Sequence, residues 1–232
     1  MKLRDIAGEL YSIYNPKIAE NWDNVGLLVG DNTKEVNKVL FCLDVTEKVV
    51  KQAVDNNVDL IISHHPVIFS GLKKITNETV HGRKLLKLIE NKIAVYSIHT
   101  NSDFAINGLN GFIMDKLNLD GEKIIFNEHE FEDYNPIKNK VERVHSGLAR
   151  IKILNEEIRL EDLLERIKDS LGISYVRYVG NKDVYVRKIG LVTGGGSSFM
   201  YEVADKIDVF LTGDLKYHEA LDALEEGRIL VD

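Results

Sequence analysis

Between Val39 and Ile98 the chain repeats one arrangement: a short apolar run, an amphipathic stretch of helical period, then another apolar run. The runs are Val39 to Leu43, Val58 to Ile62 and Ile93 to Ile98, and each reads as a buried strand. Thr46 to Asn56 opens with a Thr cap and carries Val49, Val50, Ala53 and Val54 at helical spacing, and Val80 to Glu90 carries Leu85, Leu88 and Ile89. Parallel strands need a helical crossover of about this length, so the segment is constrained to βαβ units of a doubly wound sheet. In such sheets ligands collect beyond the carboxyl ends of the strands. Asp44, then Ser63, His64 and His65, then His99 to Asp103, follow those three ends, so separate segments are delivered to one edge.

The flanking residues extend this reading. Leu3, Ile6, Leu10 and Ile13 predict an opening amphipathic helix that Pro16 ends, and Trp22 to Gly30 is turn-prone. A helix carrying Leu109, Phe112, Ile113 and Leu117 precedes a charged, irregular stretch from Asp120 to about Lys140, where a domain boundary is expected. Beyond it, strands near Gly147 to Leu154 and Ser174 to Val179 flank a helix with Leu160, Leu163, Leu164, Ile167 and Leu171 on one face and Gly172 as its stop. Strand, helix and strand recur as Lys188 to Val192, Phe199 to Lys206 and Val209 to Thr212, followed by a helix around Tyr217 to Glu226 and a last apolar run, Ile229 to Val231. The expected fold class is α/β: two linked α/β domains, residues 1–125 and 126–232, with mostly parallel βαβ units.

Composition narrows the function classes. The formal net charge of −7 argues against general nucleic-acid binding, which clustered Lys and Arg drive, and favours small molecules or proteins as partners. No apolar run approaches the roughly 20 residues needed to cross a bilayer, so the expectation is a cytoplasmic protein without membrane association. Cys42, the single cysteine, lies in the apolar run VLFCLDV and reads as a buried inert thiol.

Chemistry concentrates in His64, His65, His99 and Asp103. Imidazole nitrogens and a carboxylate are the usual ligands for zinc, iron or manganese. In an extended backbone adjacent side chains point to opposite faces, so His64 and His65 would each serve one of two neighbouring ions, with Asp103 binding either or bridging both. His99 reads as a residue behind the ligands or as an acid–base group. A lone histidine is more often a hydrogen-bonded structural residue; it is the convergence of three segments that favours a metal.

Other motifs stay open. WDNVGL at Trp22 to Leu27 is either a turn or a site lining. TGGGSS at Thr193 to Ser198 is either a tight turn or an anion site at a helix start. TGDLKYHEA holds Asp214 and His218 one turn apart and reads as a helix cap with an exposed histidine, while His81, His129 and His145 read as surface or structural.

The order WDNVGL, SHHP, HTNSD, TGGGSS and TGD resembles the dinuclear-metal proteins called NIF-three-like, or GTP cyclohydrolase I type 2 homologs. The likeness spans nearly the whole chain, and SHHP followed by HTNSD is its specific part. The resemblance implies that His64, His65 and Asp103 bind two divalent metal ions, with His99 beside them, in two linked α/β domains that assemble as a toroidal homohexamer. It also implies two further ligands in a GH-x-x-x-E motif after a strand similar to Arg228 to Asp232, so the second domain is expected to be truncated at its carboxyl end. The activity expected is that of a metal-dependent hydrolase acting on a nucleotide or a related phosphorylated or heterocyclic small molecule, His99 moving a proton. The alternative is a metal-binding scaffold or metallochaperone without turnover.

Overall fold

The computed structural model describes residues 1–232. Helix α1 (Leu3–Ile13) buries Leu3, Ala7 and Gly8 and stops just before Pro16, whose ring cannot continue a helix. Strand β1 (Gly26–Val29), β2 (Val39–Cys42), helix α2 (Glu47–Asp55), β3 (Leu60–Ser63), α3 (Val80–Glu90), β4 (Ala94–Ser97) and the short α4 (Thr100–Phe104) follow. Threonines cap the two crossover helices: the Thr46 hydroxyl accepts from the Val49 amide at 3.2 Å and the Thr79 hydroxyl from the Gly82 amide at 3.0 Å.

The four strands form one sheet in the order β1-β4-β3-β2, with β2, β3 and β4 parallel and β1 antiparallel to β4. Alternation along the central strands feeds two cores. Ile61 and Val95 pack with Val50, Ala53, Leu85 and Leu88 from α2 and α3. Leu60, Ile62, Ala94 and Tyr96 pack with Leu3 and Ala7 of α1 on the other face. Fully burying each Leu or Ile contributes about 1.5–3 kcal/mol, so the ends of β3 and β4 are firmly held where the histidines begin.

Two expectations are corrected in this region. β2 is not a buried strand but the sheet's edge, and Phe41 on it is 74% exposed. The turn-prone segment from Trp22 contains a strand, β1, whose antiparallel pairing needs no crossover helix and left no helical signal ahead of it.

After α5 (Leu109–Lys116) come β5 (Glu122–Phe126), the hairpin β6 (His129–Asn135) and β7 (Lys140–Ser146), β8 (Ala149–Arg159), α6 (Leu160–Leu171) and β9 (Tyr178–Val179). The chain continues through β10 (Tyr185–Leu191), α7 (Met200–Val203), β11 (Val209–Leu211), α8 (Tyr217–Glu225) and β12 (Ile229–Val231). The second sheet has the order β5-β8-β10-β11-β12-β9. Only β10, β11 and β12 are parallel to one another in it, while β5 with β8, β8 with β10 and β12 with β9 are antiparallel. The fold is therefore α/β with mixed sheets rather than mostly parallel ones, because strands outside the helical crossovers are free to pair antiparallel.

The stretch from Asp120 to Lys140, expected to be irregular, holds β5 and the first strand of the hairpin, β6. On β6 the inward residues Asp133 and Asn135 are polar and buried, so the strand lacks the apolar alternation that would have marked it. Where a single division near residue 125 was expected, the chain forms two compact units with several crossings: residues 1–105 with 130–144, and 106–129 with 145–232. The helix expected over Phe199 to Lys206 is one short turn of α-helix between two 3₁₀ turns. No helix is long and apolar enough to cross a membrane.

Candidate metal centre

Backbone hydrogen bonding to the end of β2 and the residue after it continues for two residues past β3. The amides of His64 and His65 donate to the Cys42 and Leu43 carbonyls at 3.1 and 2.9 Å, and the Ile98 amide donates to Ser63 O at 2.9 Å. The buried Ser63 and Ser97 hydroxyls are 2.9 Å apart, and Ser63 also donates to His65 O at 2.9 Å. These bonds fix the backbone from which the imidazoles project.

His64 and His65 do not point to opposite faces. The backbone bends at both residues, strand alternation no longer holds, and the rings turn toward one point with centroids 5.1 Å apart. His99, the residue before α4, joins them, its centroid 5.1 Å from that of His64 and 5.5 Å from that of His65. One ligand nitrogen from each of the three rings lies within 4.8 Å of the other two.

Every ring has its Nδ1 engaged by an acceptor. His64 Nδ1 donates to the Ile98 carbonyl at 3.0 Å, His65 Nδ1 to Asp44 Oδ1 at 2.8 Å and His99 Nδ1 to Asp23 Oδ1 at 2.8 Å. An imidazole that donates from Nδ1 presents the lone pair of Nε2, which is how metal-binding histidines are oriented and made more basic. Burial, together with His99 and His65 beside it, pushes the His64 imidazole down to about 4, so His64 is neutral and able to ligate at neutral pH. A single ion with bonds of about 2 Å requires nitrogens no more than about 4 Å apart, and two neighbouring ions tolerate wider spacing. The three rings lie close enough together to fit a divalent cation.

The supporting carboxylates differ. Asp44 is 56% exposed beside His65, whereas the Asp23 side chain is fully shielded. Burial alone would raise the Asp23 carboxyl, but hydrogen bonds from His99, from the Thr100 hydroxyl and amide and from the Asn24 amide outweigh it and hold the group at about 2. The Thr100 hydroxyl donates at 2.6 Å and its amide at 3.0 Å. Asp103 lies half-buried on α4, four residues beyond His99.

The sequence marked His64, His65, His99 and Asp103 but gave no role to Asp23, which sits in the WDNVGL segment left undecided between turn and site. No sequence signal marked Asp23, because the pairing of β1 with β4 that brings it to His99 is seen only in the fold. Elsewhere His218 is exposed, in edge contact with Tyr217, and Glu219 accepts from the Lys216 amide at 3.0 Å at the start of α8.

Comparison with known proteins extends the reading to the whole chain. The family model of Duf34/NIF3 (NGG1p interacting factor 3) matches residues 1–232. A Clostridium perfringens protein named GTP cyclohydrolase 1 type 2 homolog is 36% identical over 100% of this chain and 84% of its own length. A Schizosaccharomyces pombe protein named NIF3 homolog is 36% identical over 93% of this chain and 77% of its own length. The crystal structure of a Staphylococcus aureus protein superposes with a TM-score of 0.86 at 31% identity, covering 100% of this chain and 85% of the other. The identities, the coverage and the shared architecture agree, and the chain belongs to the Duf34/NIF3 family.

Proposed function

We propose that the histidine cluster binds two divalent metal ions, zinc, iron or manganese, and that the protein is a metal-dependent hydrolase acting on a nucleotide or a related small molecule. The observation that carries this reading is the common tautomer of the three rings, each with Nδ1 tied back so that Nε2 is left for a metal ion at His64 and His65 and for a proton at His99. His64 and His65 are the imidazole ligands and Asp103 is the carboxylate ligand, as the family resemblance implies. When bound, such ions supply Lewis acidity for hydrolysis near neutral pH. His99 moves the proton: Asp23 keeps its Nδ1 protonated and Nε2 open, and stabilises the imidazolium when Nε2 takes a proton up. Ser63 and Ser97 hold the strand ends so that this geometry does not relax.

The test is elemental analysis of the purified protein together with a turnover screen of nucleotides and phosphoesters in the presence of Mn, Zn or Fe. His64→Ala and Asp103→Ala should lose metal and turnover together, whereas His99→Ala should keep metal and lose turnover. Metal lost with His99→Ala would make His99 a ligand instead. Metal binding without turnover across the screen, with transfer to an apo-acceptor, would support the scaffold or metallochaperone reading. The same reading expects a homo-oligomer, a hexamer by resemblance, which light scattering at micromolar concentration would check.

A further inference from the structure

Trp22 and Phe69 are more than half exposed, at 57% and 51%, although aromatic rings of this size are ordinarily well covered. They are not scattered: their centroids lie 5.9 Å apart with the planes tilted by 48°. Trp22 also meets His99 edge-on, with centroids 5.9 Å apart and planes at 70°. An exposed apolar patch thus abuts the histidine cluster directly, and contiguous exposed apolar surface marks binding sites.

The patch is rigidly mounted. Asp23, next to Trp22, is fixed by His99 and Thr100, and the Asp23 amide donates to Glu20 O at 2.9 Å while the Glu20 amide donates to the Thr100 hydroxyl at 2.9 Å. Asn24 Nδ2 donates to the Ile68 carbonyl at 2.6 Å, which ties the loop carrying Trp22 to the one carrying Phe69. Two independent loops are therefore pinned so that two aromatic rings, tilted against each other, sit together at solvent next to the groups expected to do chemistry. A surface of this kind suits a flat ring, since aromatic faces stack with planar heterocycles whatever their substituents.

We propose that Trp22 and Phe69 form a stacking platform for a planar heteroaromatic ring, of the nucleobase class, carried by the molecule hydrolysed at the histidine cluster. This rests on the hydrolase reading for the identity of the reaction, though not for the binding itself. The platform sets specificity through the ring, and the cluster acts on the atoms attached to it.

Trp22 is the only tryptophan in the chain, so its fluorescence reports the platform without a label. The metal-loaded full chain is titrated with guanosine 5′-monophosphate and, separately, with ribose 5-phosphate, which carries the phosphate and sugar but no ring. Saturable quenching by the nucleotide and none by ribose 5-phosphate is expected. Phe69→Leu, which keeps apolar bulk, should weaken nucleotide binding about tenfold, and Phe69→Tyr should restore it. Equal response to both ligands, or equal affinity in Phe69→Leu, overturns the proposal. So does a Trp22 emission maximum that shifts with protein concentration alone as copies associate, because the patch is then a contact between copies. Metal content and turnover measured on the same samples separate the two readings: turnover with an unresponsive Trp22 removes the platform and leaves the hydrolase, and ring-dependent quenching without turnover does the reverse.

Discussion

Asp23 and His99 form a buried carboxylate–imidazole pair, Oδ1 to Nδ1 at 2.8 Å, with none of the Asp23 side chain reaching solvent. The pair joins the loop before β1 to the end of β4, so the backbone that pairs these strands also orients the histidine. The carboxylate is held at about 2 and stays charged at any pH at which the protein would work.

Replacing this carboxylate with the amide in Asp23→Asn should therefore disturb His99 more than any other ring. An amide oxygen can still accept one hydrogen bond, but the charge that holds the Nδ1–H tautomer is gone and the Thr100 donors lose their partner in part. A stability loss of about 1–3 kcal/mol is expected, with metal content retained. Imidazole nitrogen shifts by NMR should show His99 losing its single tautomer while His64 keeps its own. An unchanged His99 spectrum would remove Asp23 from the site. Asp44→Asn, at an exposed pair with His65, should have the smaller effect on stability.

Cys42 gives a simple second check. Burial pushes its thiol up to about 11, with Asp44 adding to the effect, so almost none is thiolate at neutral pH. Alkylation of the native protein at pH 7.5 should be slow and should accelerate many-fold in denaturant, followed by mass spectrometry. Labelling of the native protein at the rate of a free thiol would show that β2 does not shield it.

Much of the first unit was legible because its signal is apolar and periodic. Leu60 to Ser63 and Ala94 to Ser97 are buried on both faces, and the helices between them carry one apolar stripe each, so sequence and fold coincide there. The edge position of β2 was hidden because Val39, Leu40 and Phe41 are as apolar as the central strands, and only the sheet order reveals which strand lacks a neighbour. β6 was hidden for the opposite reason, since its buried positions are Asp133 and Asn135. At the site, the residue types pointed to a metal. The convergence of His64 and His65 on one side was not readable, because it depends on the bend after β3 rather than on strand periodicity. Asp23 was obscured because its partner is 76 residues away.

The hairpin supplies the prediction with the clearest sign. Asp133 is buried and accepts from the Tyr11 hydroxyl at 2.8 Å and from Asn15 at 2.9 Å, and it pairs with Lys17; Glu142 accepts from Ser12 and from Asn135, each at 2.9 Å, and pairs with Lys140. Burial alone would raise both carboxyls, but the hydrogen bonds and lysines outweigh it, and each is held at about 2 against ordinary values of 3.8 and 4.5. A carboxylate whose folded value is depressed stabilises fully above its unfolded value and loses that contribution as pH falls toward the folded one. On this basis each group's contribution is present above about pH 5 and lost between about pH 4 and pH 2. Residues 130–144 should therefore release from α1 and the Pro16–Ile18 turn before the central strands β3 and β4 open. Amide hydrogen exchange at pH 5 and pH 3 would show this as protection lost first in the hairpin, after correction for the intrinsic exchange rate. In the Asp133→Asn, Glu142→Gln double variant the hairpin should already be less protected at pH 5 and should change little on acidification. A double variant that keeps the wild-type pH dependence would mean that other groups hold the hairpin in place.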